Sequence, residues 1–154
     1  MKMKELAVLF ILSFAVTDLS SQTIDSTLLQ ELNTLSEKDP TFTIPDFSFF
    51  KFSLMTDEQG TRLETILAYL STSTVSLEMV IHTDCRGNSD YNDAVTKRKA
   101  DIMQRWFLRR GVGKDRLLIK GGGENFPLIT CEDCSSCTDQ EHDQNSRIEL
   151  IYKK

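Results

Sequence analysis

The segment from Val75 to Arg110 constrains the fold most, because an alternating strand runs through a short polar loop into a long helix. Apolar and polar residues alternate from Val75 to His82, which is the period of a β-strand with one buried face. From Tyr91 to Arg110 the apolar residues repeat at helical spacing, and Gly111 stands where a helix commonly ends. The two adjoining apolar lines of this helix are Ala100, Met103 and Phe107, and Val95, Ile102 and Trp106.

The remaining segments add three strands and a second helix. Phe47–Leu54 is an aromatic run that suits a strand, and Arg116–Lys120 and Arg147–Tyr152 suit two more. A helix is predicted after the first strand, because Thr56 precedes Gln59 at capping-box spacing. Its apolar face consists of Leu63, Ile66, Leu67 and Leu70. The order β-α-β-α-β-β predicts a two-layer α/β sandwich, with the helices on one face of a mixed sheet.

The chain begins with the features of a secretory signal. Met1–Lys4 carries two lysines, Leu6–Val16 is almost entirely apolar, and small and polar residues lead to Ser21. A buried core helix is the alternative interpretation, but the run shows no amphipathic period. We therefore expect residues 1–21 to direct export, which would make the four cysteines of the chain oxidisable.

Length and charge limit what the rest of the chain can be. Residues 22–46 are predicted to form a polar, partly helical tether, and residues 47–154 a single domain. No apolar run reaches the roughly 18 residues of a spanning helix, so we expect no transmembrane segment in the mature chain. The net charge of −5 argues against a nucleic-acid partner. No constellation typical of catalysis is present, so we predict neither an enzyme nor a cofactor.

Polar and charged residues gather where the strand gives way to the long helix. Asp84 follows the strand and Gly87 turns the chain, which is a common place for a ligand-binding carboxylate. Asn92 adds an amide on the first helical turn. Lys99 lies on an apolar line of the helix, so its ammonium either reaches outwards or meets an anion. Asp84 and Lys99 could jointly hold a zwitterion; the alternative is that Lys97–Lys99 is only a solvated basic face.

An ordered set of short motifs runs through the chain from about Phe47 to Tyr152. Its members are His82-Thr83-Asp84-x-x-Gly87, Tyr91-Asn92, Lys99-Ala100, Gly111-Val112, Arg116-Leu117, Gly121-x-Gly123-Glu124, Pro127 and Asn145-Ser146-Arg147-Ile148-Glu149. Each motif is weak alone, but the ordered set resembles the OmpA-like C-terminal domain, the peptidoglycan-associating module of Gram-negative envelopes. The final loop, Thr138–Asn145, resembles versions from the Bacteroidetes lineage.

The resemblance implies peptidoglycan binding without catalysis, in the periplasm and in association with the outer membrane. In this family the aspartate at the position of Asp84 takes the free ammonium of diaminopimelate in the stem peptide. An arginine at the position of Lys99 takes the diaminopimelate carboxylate, and Asn92 matches the asparagine that supports loop and ligand. Arg147 matches the second arginine of the family's closing motif, whereas Ser146 replaces the first. The implied partners are peptidoglycan and, secondarily, outer-membrane proteins.

The two departures from the family pattern leave two interpretations open. Lys99 keeps the charge of an arginine but lacks its planar fork, which would cost about 1–2 kcal/mol, or about 0.7 to 1.5 decades of affinity. Ser146 removes a further positive charge near the pocket. Either the protein binds peptidoglycan weakly, or it retains the fold without this ligand and acts as an envelope protein-interaction module. In the second case the contact would be the 22–46 tether or the aromatic run Phe47–Phe52.

The four cysteines are Cys85 and a cluster within a polar loop over residues 127–145, namely Cys131, Cys134 and Cys137. Export favours disulfides over a thiolate metal site, and four cysteines allow three pairings. We expect Cys85 to join one loop cysteine while the other two close a small ring. The alternatives are a metal site that includes His142, and a redox pair, which Glu132 and Asp133 disfavour because acids oppose the thiolate. We predict no metal.

Overall fold

The structure, a computed structural model, describes residues 24–45 and 56–153. In chain order its elements are α1 (Ser26–Thr34), β1 (Thr41–Ile44), α2 (Asp57–Thr72), β2 (Ser76–His82), α3 (Ser89–Leu108), β3 (Leu117–Gly123), α4 (Asp139–Asn145) and β4 (Ile148–Lys153). A 3-10 turn, Cys134–Ser136, precedes α4. The secretory signal predicted over residues 1–21 and the strand predicted over Phe47–Leu54 lie outside the described residues.

The described strands form one mixed sheet in the order β1-β4-β2-β3. β2 and β3 run parallel, with Leu77 opposite Leu117, and β4 runs antiparallel to both β2 and β1. A parallel pair needs a long crossover connection, and α3 supplies it. The strand–helix–strand unit predicted from the sequence is therefore present, and it places the β2–α3 loop at the carboxyl end of β2.

The buried side chains of helices and strands form a single hydrophobic cluster among the described residues. On α3, the line Ala100, Met103 and Phe107 is buried as predicted, whereas the line that contains Val95 and Ile102 is half-buried. Leu63, Ile66 and Leu70 of α2 join the same cluster, and Leu67 packs against it.

Contacts between α3 and β3 fix the helix that carries two of the predicted site residues. A Cβ atom at Gly121 would lie 2.6 Å from the carbonyl carbon of Thr96, so only glycine permits this approach. The Gly123 amide donates to Thr96 Oγ1 at 3.0 Å. The Gln104 side chain donates to the Leu117 carbonyl at 2.9 Å and accepts from the Ile119 amide at 3.0 Å. The helix therefore has a defined position relative to the end of β2.

The termini of both long helices follow local rules that the sequence contains. Thr56 and Gln59 form the predicted capping box at the start of α2. The Asn88 side chain accepts from the amides of Asp90 and Tyr91 and so caps α3. Beyond the end of α3, Gly111 has a φ of +89°, which glycine adopts without strain. No helix within residues 24–45 and 56–153 combines the length and apolarity that crossing a membrane requires.

The segment predicted to be a tether contributes regular structure to the fold. Leu28, Leu32 and Leu35 are buried, and the Asp25 side chain caps α1 by accepting from the amides of residues 27 and 28. β1 pairs with β4, with Phe42 opposite Leu150. The tether interpretation is therefore corrected for residues 24–45, although the helical part that it included is present as α1. The segment is polar overall, but its few apolar residues find buried partners on α2 and β4 that local sequence does not reveal.

The polar loop predicted over residues 127–145 is also more regular than expected. Thr138 caps α4 by accepting from the Glu141 amide, and Glu141 in turn accepts from the Thr138 amide. This capping box starts a seven-residue helix that ends at Asn145. The prediction of a loop did not take this Thr-x-x-Glu pattern into account. It is the same kind of capping box as the Thr-x-x-Gln pattern at the start of α2.

Candidate functional site

Asp84 is the centre of the candidate site. It lies two residues beyond the end of β2 and is only 6% exposed. The Arg86 amide and Nε donate to Asp84 Oδ1 at 2.8 and 3.0 Å. Arg86 Nη2 and the Ser146 hydroxyl donate to Oδ2 at 2.9 and 2.8 Å. These four donors match the roughly four acceptor positions of a carboxylate.

The Asp84 carboxyl is held in its charged form. Burial alone would raise its pKa, because a charged group loses hydration inside a protein. The hydrogen bonds from Arg86, the hydrogen bond from Ser146 and the charge of Arg86 outweigh burial and lower the pKa from 3.8 to about 2. The site therefore presents a buried anion at neutral pH.

Asn92 holds the loop that carries Asp84. Its Nδ2 donates to the carbonyl oxygens of Arg86 and Asp84 at 3.2 and 3.4 Å, and also contacts Glu124 Oε2. Gly87 turns this loop with a φ of +106°. Asn92 is 4% exposed. The structure therefore brings Asn92 to Asp84, in a position from which it supports the loop through the backbone.

Lys99 is half-buried on the face of α3 that adjoins the site. Burial lowers the pKa of its ammonium, and the negative charge of Asp84 opposes that shift. The two groups therefore interact electrostatically, and their joint binding of a ligand with opposite charges stays a prediction.

Arg147 is held by Glu149 and by the carbonyl oxygens of Phe126 and Asn145. It is 2% exposed, and its Nη2 and Nη1 donate to the carbonyl oxygens of Phe126 and Asn145 at 2.9 and 3.2 Å. Its Nε donates to Glu149 Oε1 at 3.0 Å. The guanidinium therefore ties the start of β4 to the segment after β3, and the neighbouring Ser146 is the residue that reaches Asp84.

A cavity of about 140 Å³ opens beside Asp84. Its lining residues include three acids, Asp84, Glu124 and Asp133, and none of them is lysine, arginine or histidine. Negative charges around a recess favour a positively charged group there. The geometry thus suits the entry of a ligand cation next to Asp84.

Two disulfides form one wall of this cavity. Cys85 pairs with Cys134 and Cys131 pairs with Cys137, with Cα–Cα distances of 5.7 and 5.5 Å. The expected arrangement, Cys85 to one loop cysteine and a small ring from the other two, is the one observed. His142 lies near two of these sulfurs, but sulfurs joined in disulfides offer no thiolate to a metal.

Arg86 is the site residue that sequence reasoning did not assign. Its side chain is 54% exposed, yet its inner edge spans both oxygens of Asp84. The outer nitrogen, Nη1, lies 3.9 Å from Oδ1 of the exposed Asp139. No local pattern in the sequence marked this contact, because it depends on the path of the loop between Asp84 and Gly87.

Comparisons with known proteins find similarity to peptidoglycan-associated lipoproteins and to a photosystem protein. No family model matches the chain. It is 36% identical over 69 residues to the peptidoglycan-associated lipoprotein of Pseudomonas aeruginosa, a match that covers 45% of this chain and 38% of that protein. It is 27% identical over 109 residues to photosystem I P700 chlorophyll a apoprotein A2 of Gloeobacter violaceus, covering 70% of this chain and 12% of that protein. The chain therefore spans well under half the length of these relatives.

Solved structures share the fold. The peptidoglycan-associated lipoprotein of Burkholderia pseudomallei aligns with a TM-score of 0.54 and 25% identity, over 74% of this chain and 90% of that one. A MotB-like protein of Desulfovibrio vulgaris aligns with a TM-score of 0.62 and 18% identity, over 82% of this chain and 89% of that one. The predicted OmpA-like α/β fold is confirmed, while the resemblance of the final loop to Bacteroidetes versions remains a prediction.

Proposed function

We propose that this protein is a non-catalytic, periplasmic peptidoglycan-binding module that recognises diaminopimelate in the stem peptide and links the cell wall to the outer envelope. The observation that carries the proposal is the buried, charged carboxylate of Asp84 beside an acid-lined cavity. Two further observations support it: the relatives that are named peptidoglycan-associated lipoproteins, and a fold shared with the solved structure of another protein of that name.

The free end of diaminopimelate carries an ammonium and a carboxylate on one carbon, so recognition needs two opposite charges close together. Asp84 supplies the negative charge at the cavity wall and takes the ammonium. Lys99, within electrostatic reach of Asp84, supplies a positive charge for the carboxylate. Charge-assisted hydrogen bonds of this kind are about twice as strong as neutral ones.

Asn92 and Arg147 support this pair without needing to touch the ligand. Asn92 holds the backbone of the Asp84 loop, and Arg147 holds the segment after β3 against the start of β4. The two disulfides hold the cavity wall in the same way. A rigid frame lowers the entropy that binding must overcome.

The test is co-sedimentation of the protein with purified diaminopimelate-type peptidoglycan. We expect the wild type to sediment and Asp84→Asn, which keeps the shape of the side chain, to remain in the supernatant. Asp101→Asn, which alters an exposed acid on α3, is the matched control and should sediment normally. Lys99→Arg should restore the fork and tighten binding by about tenfold.

The competing hypothesis is an envelope protein-interaction module of the same fold without peptidoglycan affinity. It predicts that neither wild type nor Asp84→Asn sediments. Equal sedimentation of wild type and Asp84→Asn would instead show binding that does not use this site. Circular dichroism of each variant checks that a loss of sedimentation is not caused by unfolding.

A further inference from the structure

In the structure, Arg86 pairs with the carboxylate of Asp84. The proposed function assigns the same carboxylate to the ammonium of the ligand. Four donors already surround the two oxygens of Asp84. An entering ammonium must therefore displace one of them. Ser146 is 3% exposed and buried with Asp84, and the Arg86 amide is fixed in the backbone of the loop. The Arg86 guanidinium is more than half exposed, so it is the donor that can leave.

We propose that Arg86 is a specificity-determining residue: it yields Asp84 to the ammonium of a zwitterionic amino-acid end and takes the carboxylate of that same end. This inference rests on the proposed function and adds the residue that reads the carboxylate. In the exchange one ion pair, Asp84 with Arg86, becomes two, Asp84 with the ligand ammonium and Arg86 with the ligand carboxylate. No charge is left without a partner.

The chemistry of the side chain favours Arg86 over Lys99 for a two-point contact. A guanidinium presents two N–H bonds side by side and matches both oxygens of a carboxylate, whereas an ammonium is a point charge. Arg86 already uses such a fork on Asp84. Lys99 is half-buried on α3, and its charge interacts with that of Asp84. Arg86 would thus supply a two-point contact to the ligand carboxylate, and Lys99 would add its positive charge to the same group.

The surroundings of Arg86 allow the movement. Its outer nitrogen faces Asp139, a residue with a 99% exposed side chain at 3.9 Å. A contact of that length between exposed groups is weak. The guanidinium can therefore turn away from Asp84 while the charges of Asp139 and Asp143 keep it nearby.

A consequence is discrimination between ligands that differ in one charge. A ligand with both ammonium and carboxylate compensates Arg86 for the loss of Asp84. A ligand whose carboxylate is amidated offers the same ammonium but no anion, so Arg86 loses its partner on binding. The site should therefore distinguish a free diaminopimelate end from its amide, although the two have nearly the same shape.

The experiment measures the affinity of two soluble stem peptides by calorimetry, one with the free diaminopimelate carboxylate and one with that carboxylate amidated. Wild type, Arg86→Gln and Arg86→Lys are compared with Arg98→Gln, which removes an exposed charge elsewhere on α3. The measured quantity is the affinity for the free peptide divided by the affinity for the amidated peptide. We expect this ratio to be about tenfold lower in Arg86→Gln than in wild type, mostly because the free peptide binds more weakly. Arg86→Lys should lie in between, and Arg98→Gln should match wild type.

Two results would overturn the role of Arg86 alone. One is equal tightening of both peptides in Arg86→Gln, which would make Arg86 a simple blocker of Asp84. The other is an unchanged ratio while Asp84→Asn still abolishes binding. If wild type binds neither peptide, or Asp84→Asn binds as wild type does, the proposed function fails and this inference fails with it. Thermal unfolding of each variant confirms that it is folded at the assay temperature.

Discussion

Arg86 Nε and Nη2 lie 3.0 and 2.9 Å from the two carboxylate oxygens of Asp84, a residue only two positions earlier in the chain. The pair is asymmetric in exposure, because the Asp84 side chain is almost fully buried while more than half of the Arg86 side chain meets solvent. Asp84 is thus a buried anion, and Arg86 is the exposed cation that pairs with it where a ligand cation would bind.

Acid should weaken the contribution of Asp84 to folding. Its pKa in the folded protein is about 2, below the ordinary 3.8. A lowered pKa stabilises the fold above pH 3.8, and the gain is lost as pH falls through 2. The free energy of unfolding of wild type relative to Asp84→Asn should therefore be about 2 kcal/mol larger at pH 7 than at pH 2.

Urea denaturation of both proteins across this pH range measures the difference. Asp101→Asn serves as the control and should give a difference from wild type that varies much less with pH. A constant gap between wild type and Asp84→Asn from pH 7 to pH 2 would show that the carboxylate is not held in its charged form.

The two disulfides should differ in their contribution to stability. Cys85 and Cys134 are 49 residues apart, whereas Cys131 and Cys137 are six apart. A cross-link restricts the unfolded chain more when it closes a longer loop, which gives about 4 kcal/mol for the first and about 2 kcal/mol for the second. Denaturation of two double variants, each with one pair changed to serine, tests this order. A larger loss for the six-residue pair would contradict it.

Gly121 and Gly60 should respond to alanine in opposite directions. A Cβ at Gly121 meets the backbone of α3 at Thr96, whereas a Cβ at Gly60 in α2 meets nothing within 4 Å. We expect Gly121→Ala to destabilise the fold by about 1–3 kcal/mol through a forced shift of α3. Gly60→Ala should stabilise it by about 0.5–1 kcal/mol through reduced backbone entropy. Equal melting temperatures for the two variants would be evidence against a tight α3–β3 contact.

Arg147→Lys should lower the stability of the fold, although the substitution keeps the positive charge. Lysine cannot reproduce the hydrogen bonds to the carbonyl oxygens of Phe126 and Asn145 and to Glu149 at once. Leaving buried acceptors without donors costs about 1–3 kcal/mol, which thermal unfolding would detect. An Arg147→Lys variant of normal stability that no longer binds peptidoglycan would show that this arginine contacts the ligand directly.

Much of the fold follows from local patterns, and the part that does not depends on distant partners. The capping box at Thr56 and the buried line of Ala100, Met103 and Phe107 are visible in the sequence because they rest on neighbours within one helix. The burial of Leu28 and Leu32 is not visible in the sequence, because it depends on α2 and on the pairing of β1 with β4. A polar segment of this kind looks like a tether in the sequence, because the partners that bury its apolar residues are distant along the chain.

The candidate site divides in the same way. Asp84 and Asn92 were predictable, because a strand end, a turning glycine and a helix start place them together. The fork of Arg86 was not, since it depends on the path of the loop between Asp84 and Gly87. The direction of the Arg147 side chain was also hidden, because one of its partners is the carbonyl oxygen of Phe126, 21 residues earlier.

The central claim is that Asp84 makes this protein a binder of diaminopimelate. The most direct measurement is a calorimetric titration of the protein, and of Asp84→Asn, with two soluble stem peptides that carry diaminopimelate or lysine at the same position. We expect the diaminopimelate peptide to bind wild type at least about tenfold more tightly than the lysine peptide, and Asp84→Asn to bind neither. Equal affinity for the two peptides, or binding that survives in Asp84→Asn, would contradict the account.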